Sequence, residues 1–165
     1  MNLEKFTDRA KGFIQAAQTI ALRSNHQQVT PEHLLKALLD DTEGLASGLI
    51  RRSGGDPAKA LERTERALGK IPAVQGGGAQ MYLSQDLSRI LDQAQQSAEK
   101  AGDSFVTAEF MLLALAVGGS TAEILKDSGT TPQKLNTAIK DLRKGRTADT
   151  ASAENQYEAL KKYAR

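Results

Sequence analysis

Val29-Thr30-Pro31-Glu32-His33-Leu34-Leu35-Lys36-Ala37-Leu38 returns 77 residues later as Val106-Thr107-Ala108-Glu109-Phe110-Met111-Leu112-Leu113-Ala114-Leu115. The same offset lays residues 6–39 on 83–116 without a gap. It gives nine identities in 34 positions, where unrelated segments give roughly two. The match continues more weakly once two residues are dropped from a loop of the second copy. Leu49-Ile50, Gly54 and Pro57 then align with Ile124-Leu125, Gly129 and Pro132. A unit of about 65 residues is thus written twice, and both copies must fold alike.

Within a copy the apolar period is helical. Ala10, Phe13, Ile14, Ala17, Ile20 and Ala21 share one stripe, as do Leu87, Ile90, Leu91, Ala94 and Ala98. Thr7 and Ser84 stand before these long first helices, where a side-chain oxygen accepts from an amide of the first turn. Thr30 and Thr107 hold the same place before the second helices, with Pro31 at a first helical position and Glu32 and Glu109 near the positive helix end. Third helices run from about Glu43 to Arg52 and from Thr121 to Asp127. Gly54-Gly55 and Gly129 stop them, and fourth helices follow Pro57 and Pro132. No segment alternates with a period of two, so essentially no sheet is expected. The fold class is all-α: two four-helix repeats packed as a pseudo-twofold pair, joined by a helix-free bridge around Ile71 to Leu83. The domain spans 1–143, with repeat 1 about 1–70 and repeat 2 about 80–143. Residues 144–156 turn polar, lose the apolar period and read as a flexible linker.

The 165 residues suit one domain with a tail. A net charge of +2 is too small for a dedicated nucleic-acid surface. The absence of Cys removes disulfides, thiol nucleophiles and thiolate zinc sites. No stretch approaches the ~20 apolar residues of a membrane span and the start lacks a signal-peptide run, so a soluble cytoplasmic location is expected. Nor does a phosphate-cradling Gly-x-x-x-x-Gly-Lys-Ser/Thr occur; Gly76-Gly77-Gly78 lacks the Lys-Ser/Thr and reads as connector. His26 and His33 are seven apart, not on one helix face at metal-ligand spacing. No catalytic constellation stands out, so an interaction module is expected rather than an enzyme, with no metal or cofactor of its own.

The paired Thr-x-Glu helices, the bridge Ile71-Pro72-Ala73-Val74-Gln75-Gly76-Gly77-Gly78 and the turn Gly102-Asp103-Ser104-Phe105-Val106 together closely resemble the amino-terminal domain of the ClpB disaggregase family. Residues 157–165, Tyr157-Glu158-Ala159-Leu160-Lys161-Lys162-Tyr163-Ala164-Arg165, look like the segment that enters the first AAA+ module there. The resemblance implies a piece of an ATP- and Mg-dependent homohexamer that threads aggregated polypeptides and works with the DnaK chaperone system. This domain, monomeric by itself, would recognise unfolded or aggregated segments. ClpA- and ClpC-type unfoldases share the double repeat, which leaves adaptor docking as the alternative role. The family's recognition surface implies Thr7, Asp103 and Glu109 as substrate-binding positions. Each also has a local reading, as an N-cap, a turn residue and a helix-start charge. Leu91 and Phe110 are added as an apolar lip, Phe110 because it takes the slot of His33; core packing is the competing reading of Leu91. Gln93 and Ser97 stand where relatives can be apolar, which makes this groove the more polar one.

Overall fold

Helix α1 (Asp8–Arg23) begins where the Thr7 hydroxyl accepts the Ala10 N–H at 3.1 Å, and α5 (Gln85–Lys100) begins identically with Ser84 accepting from Leu87 at 3.1 Å. The computed structural model describes residues 3–42, 44–74 and 81–151. A 3-10 turn (Leu3–Lys5) leads into α1, followed by α2 (Pro31–Leu39), α3 (Leu45–Arg52) and α4 (Pro57–Gly69). The second repeat adds α6 (Ala108–Val117), α7 (Gly119–Asp127) and α8 (Pro132–Arg143) after α5. All eight helices expected from the repeats are present. Helix α7 starts two residues earlier than its apolar pattern, after Gly118. Helix α3 starts at Leu45; Glu43, where the sequence places its start, and the glycines of the bridge lie outside the described residues.

The two repeats exchange backbone pairs at their junction. Strand β1 (Gln28–Val29) pairs in parallel with β2 (Tyr82–Leu83), Val29 opposite Leu83, while Phe6 bridges Val106. These are one contact made twice, since Phe6 corresponds to Leu83 and Val29 to Val106. The hydrogen bonds repeat as well: the Thr7 N–H donates to Val106 O at 2.9 Å and the Ser84 N–H to Val29 O at 3.0 Å. Two-residue ladders are too short to show a strand period in sequence. A second contact joins the α3–α4 and α7–α8 turns. The Asp56 N–H donates to Ser128 O at 2.8 Å, and the hydroxyls of Ser53 and Thr130 lie 3.0 Å apart. Here a Cβ on Gly55 would fall 2.2 Å from Thr130 Oγ1, so the close approach demands glycine.

Helix α6 forms the centre of the domain. Eight of its ten residues are buried, all but Leu113 and Val117, which accounts for its nearly unbroken apolar run. Phe6, Leu34, Leu35, Leu38, Leu87, Leu91, Met111, Leu112 and Leu115 are fully buried in one core shared by both repeats, each contributing about 1.5–3 kcal/mol of apolar burial. No single helix among the described residues is long and apolar enough to cross a membrane.

At the start of α2, His33 Nδ1 accepts the Thr30 N–H at 2.9 Å, which leaves Nε2 to donate toward His26 Nδ1, 2.8 Å away. Burial, and then the neighbouring His26, lower the pKa of His33 from 6.5 to about 4. In this window the unfolded chain binds a proton that the folded chain does not. Stability is therefore full above pH 6.5 and falls as pH drops toward 4, by roughly 3 kcal/mol in total. Urea denaturation of His33→Gln, which keeps an acceptor for the Thr30 N–H but does not titrate, is expected to remove this part of the slope. An unchanged slope would contradict the assignment.

Candidate functional site

The last residue of α8, Arg143, is buried, and three of the site residues expected from sequence converge on it. Its Nη1 lies 2.7 Å from both Asp103 oxygens, and its Nη2 lies 2.9 Å from Thr107 Oγ1 and 3.5 Å from Glu109 Oε1. Its Cζ stands 4.7 Å from the centroid of the Phe110 ring, within cation–π range. The Asp103 and Glu109 side chains are fully buried, so this is not a solvated surface pair of small value. Two carboxylates desolvated on one guanidinium tolerate its presence far better than its loss. The Thr107 hydroxyl, expected to cap α6, is instead taken up by Arg143; the helix start makes no side-chain cap bond.

Beyond α8 the chain turns through Lys144 and Gly145, both at positive φ, and runs back across the domain. Ala148 is fully buried. Its N–H donates to Asp103 Oδ1 at 2.9 Å, and its carbonyl accepts from Ser104 and Phe105 at 2.9 and 3.1 Å. Ala151 O accepts the Asp8 N–H at 2.9 Å, an amide that the first turn of α1 cannot itself satisfy. The first part of the stretch read as linker, through Ala151, is therefore a strap bound to the junction of the repeats. Its polar composition gave no apolar period because backbone hydrogen bonds hold it. Residues 152–165 lie outside the described residues.

An open cavity of about 600 Å³ lies between α5, α6, α8 and the strap, with Phe110, Leu113, Val117 and Ile139 as its apolar surface. The equivalent positions of repeat 1 carry an ion-pair clasp instead, beside a smaller depression of about 400 Å³ against α4. There Lys36 reaches Glu65 on α4 at 3.3 Å and Asp40 at 2.9 Å. The corresponding positions of repeat 2 are Leu113, Lys140 and Val117, which cannot form that clasp. Leu68, the counterpart of Arg143, is also the smaller side chain.

Phe110 lines this cavity, although only 5 % of it is exposed. Asp103 and Glu109 lie behind it, on Arg143. Thr7 is wholly buried at the repeat junction, an N-cap whose amide holds Val106. Leu91 is no part of a lip: it is fully buried, because its place on the stripe of Leu87, Ala94 and Ala98 turns it into the core. Ser97 lines the cavity, whereas Gln93 borders a different depression, beside Asp86 and Ile90. Arg143 escaped the sequence reading. The signal was an arginine in an apolar slot, visible only when α8 is laid on α4 at the offset set by Pro57 and Pro132.

Residues 5–128 match the family model described as Clp repeat (R) N-terminal domain. The chain belongs to this family. Over its whole length this Clp repeat domain is 58 % identical to a chaperone protein ClpB of Rhodopseudomonas palustris, and 56 % identical to one of Brucella suis. It spans 19 % of the length of each. The solved Hsp104 N-terminal domain from Candida albicans superposes with a TM-score of 0.80 at 26 % identity, over 90 % of this chain and 98 % of that one. The chain is thus the helical N-terminal domain of ClpB/Hsp104-type chaperones and not an ATPase module.

Proposed function

We propose that this domain captures unfolded or aggregated polypeptide segments in the second-repeat cavity, for delivery to the AAA+ ring of a ClpB-type disaggregase. The observation that carries the reading is the asymmetry of the repeats: one carries the Lys36 clasp beside a smaller, charged depression, the other a larger cavity walled by Phe110, Leu113, Val117 and Ile139. Phe110 and its apolar neighbours touch the client. Thr7, Asp103 and Glu109 act as positioning residues, the two carboxylates by fixing Arg143 and the strap, and Thr7 by fixing the junction. Whole-length identity to ClpB proteins supports this role over adaptor docking for a protease-linked unfoldase. In the full-length protein the domain would serve a cytoplasmic, ATP- and Mg-dependent homohexamer that hands clients on with the DnaK system. Six tethered copies make weak individual contacts sufficient.

Ser97, half-buried on the cavity wall, tests this directly. Ser97→Leu is expected to tighten binding of a permanently unfolded polypeptide about fivefold, the worth of half-burying a leucine side chain. Ser97→Glu, which puts on the apolar wall a carboxylate that a bound segment must desolvate and that competes for the cations at the opening, is expected to weaken it by a similar factor. Fluorescence anisotropy of the labelled client reads both, and equal affinities for the two variants would exclude the cavity as the contact surface.

A further inference from the structure

Building on the capture role just proposed, we propose that the second-repeat cavity selects segments in which a large apolar residue is flanked by acidic side chains. Its lining includes Lys100 from the end of α5, Lys140 from the last turn of α8 and Arg146 from the strap, and includes no carboxylate. Lys100 and Lys140 are exposed and have no ion pair among the described residues. The acidic groups nearest Lys100 and Lys140 in sequence make no ion pair with them. Glu99 and Asp141 do not line the cavity, and Asp103 and Glu109 are buried on Arg143. The strap's nearest acid, Asp149, accepts from the Thr147 hydroxyl, so among the described residues the unpaired charge at the opening is that of Lys100 and Lys140.

Comparison of the repeats shows what these cations lack. Lys140 replaces Glu65, the carboxylate that Lys36 holds in repeat 1, and its partner position has become the apolar Leu113. An internal cation–carboxylate contact has thus become an apolar wall beside a cation without an acid. The missing carboxylate is what a client segment can supply, while its apolar residue covers Phe110, Leu113, Val117 and Ile139. Charge then decides which apolar segments enter, and it does so through solvent-exposed groups sensitive to salt.

The test uses the whole chain and three labelled peptides, acetylated and amidated so that no terminal charge remains. They share one Leu-Phe-Leu core flanked on both sides by Asp, Gln or Lys. At low ionic strength the Asp-flanked peptide is expected to bind about tenfold tighter than the Gln-flanked one, from several solvent-exposed charge pairs. The Lys-flanked peptide is expected to bind weakest, and added salt to shrink the spread. Lys100→Glu with Lys140→Glu, both at exposed positions, is expected to reverse the order while the melting temperature falls by only a few degrees, the cost of an acid in two last helical turns. Equal binding of Asp- and Gln-flanked peptides, or an order that survives the double substitution, would overturn the charge selection and leave apolar capture standing. Failure of all three peptides to bind would overturn both.

Discussion

Arg143→Ala is expected to cost about 3–5 kcal/mol of folding stability, because it strands the fully buried Asp103 and Glu109 carboxylates without their counter-charge. Domains of this kind are stable by only about 5–15 kcal/mol. The melting temperature should therefore fall by on the order of 10 °C. The loss is electrostatic, so removing the stranded charges should restore part of it. Arg143→Met combined with Asp103→Asn and Glu109→Gln is expected to be more stable than Arg143→Ala alone, which a double-mutant cycle with each carboxylate would resolve. Client affinity should also drop in Arg143→Ala, since the guanidinium packs on the Phe110 ring, itself lines the cavity, and helps hold Asp103, to which the strap is tied. A melting temperature within a degree or two of the parent chain would show that the cluster does not hold the site together.

Leu91→Ala is expected to lose about 2–5 kcal/mol through the cavity it opens among Leu87, Ala94 and the rest of the core. The affinity of the fraction that remains folded should not change. Denaturant titration gives the first quantity, and client binding well below the unfolding transition gives the second. A surface lip would behave in the opposite way, with stability within ~0.5 kcal/mol of the parent and binding lost. The two substitutions thus separate a residue that builds the domain from one that shapes its recognition surface.

Eight helices and their pairing into two equivalent halves were legible because repetition reports on itself. Val29 to Leu38 and its later copy locate the second helices, and the Thr7 and Ser84 caps locate the first. The swapped contacts between Phe6 and Val106 and between Val29 and Leu83 were not legible, since single backbone bridges impose no side-chain period. The strap was missed for the same reason: Ala148 is small, and its anchors are a backbone amide and a carbonyl. Asp103 and Glu109 came with Thr7 from the family resemblance and Phe110 from the lip reading; nothing local joined them, because Arg143 sits 34 residues beyond Glu109 and reads locally as a helix-end cation. Leu91 sits in the middle of the stripe of Leu87, Ala94 and Ala98 and so faces the core, whereas a lip residue must lie where its helix leaves the core, as the exposed Val117 does at the end of α6.

The decisive measurement is a map of amide chemical-shift changes along the chain during titration with a permanently unfolded, soluble polypeptide, with its folded counterpart as the control. Changes are expected to gather at Ser97 and Lys100 on α5, at Phe110, Leu113 and Val117 on α6, and at Gly145 to Thr147 on the strap. They should appear with the unfolded polypeptide alone. Changes centred on α2 and α4 of the first repeat, equal changes with the folded control, or none at saturating client would contradict capture by the open second repeat.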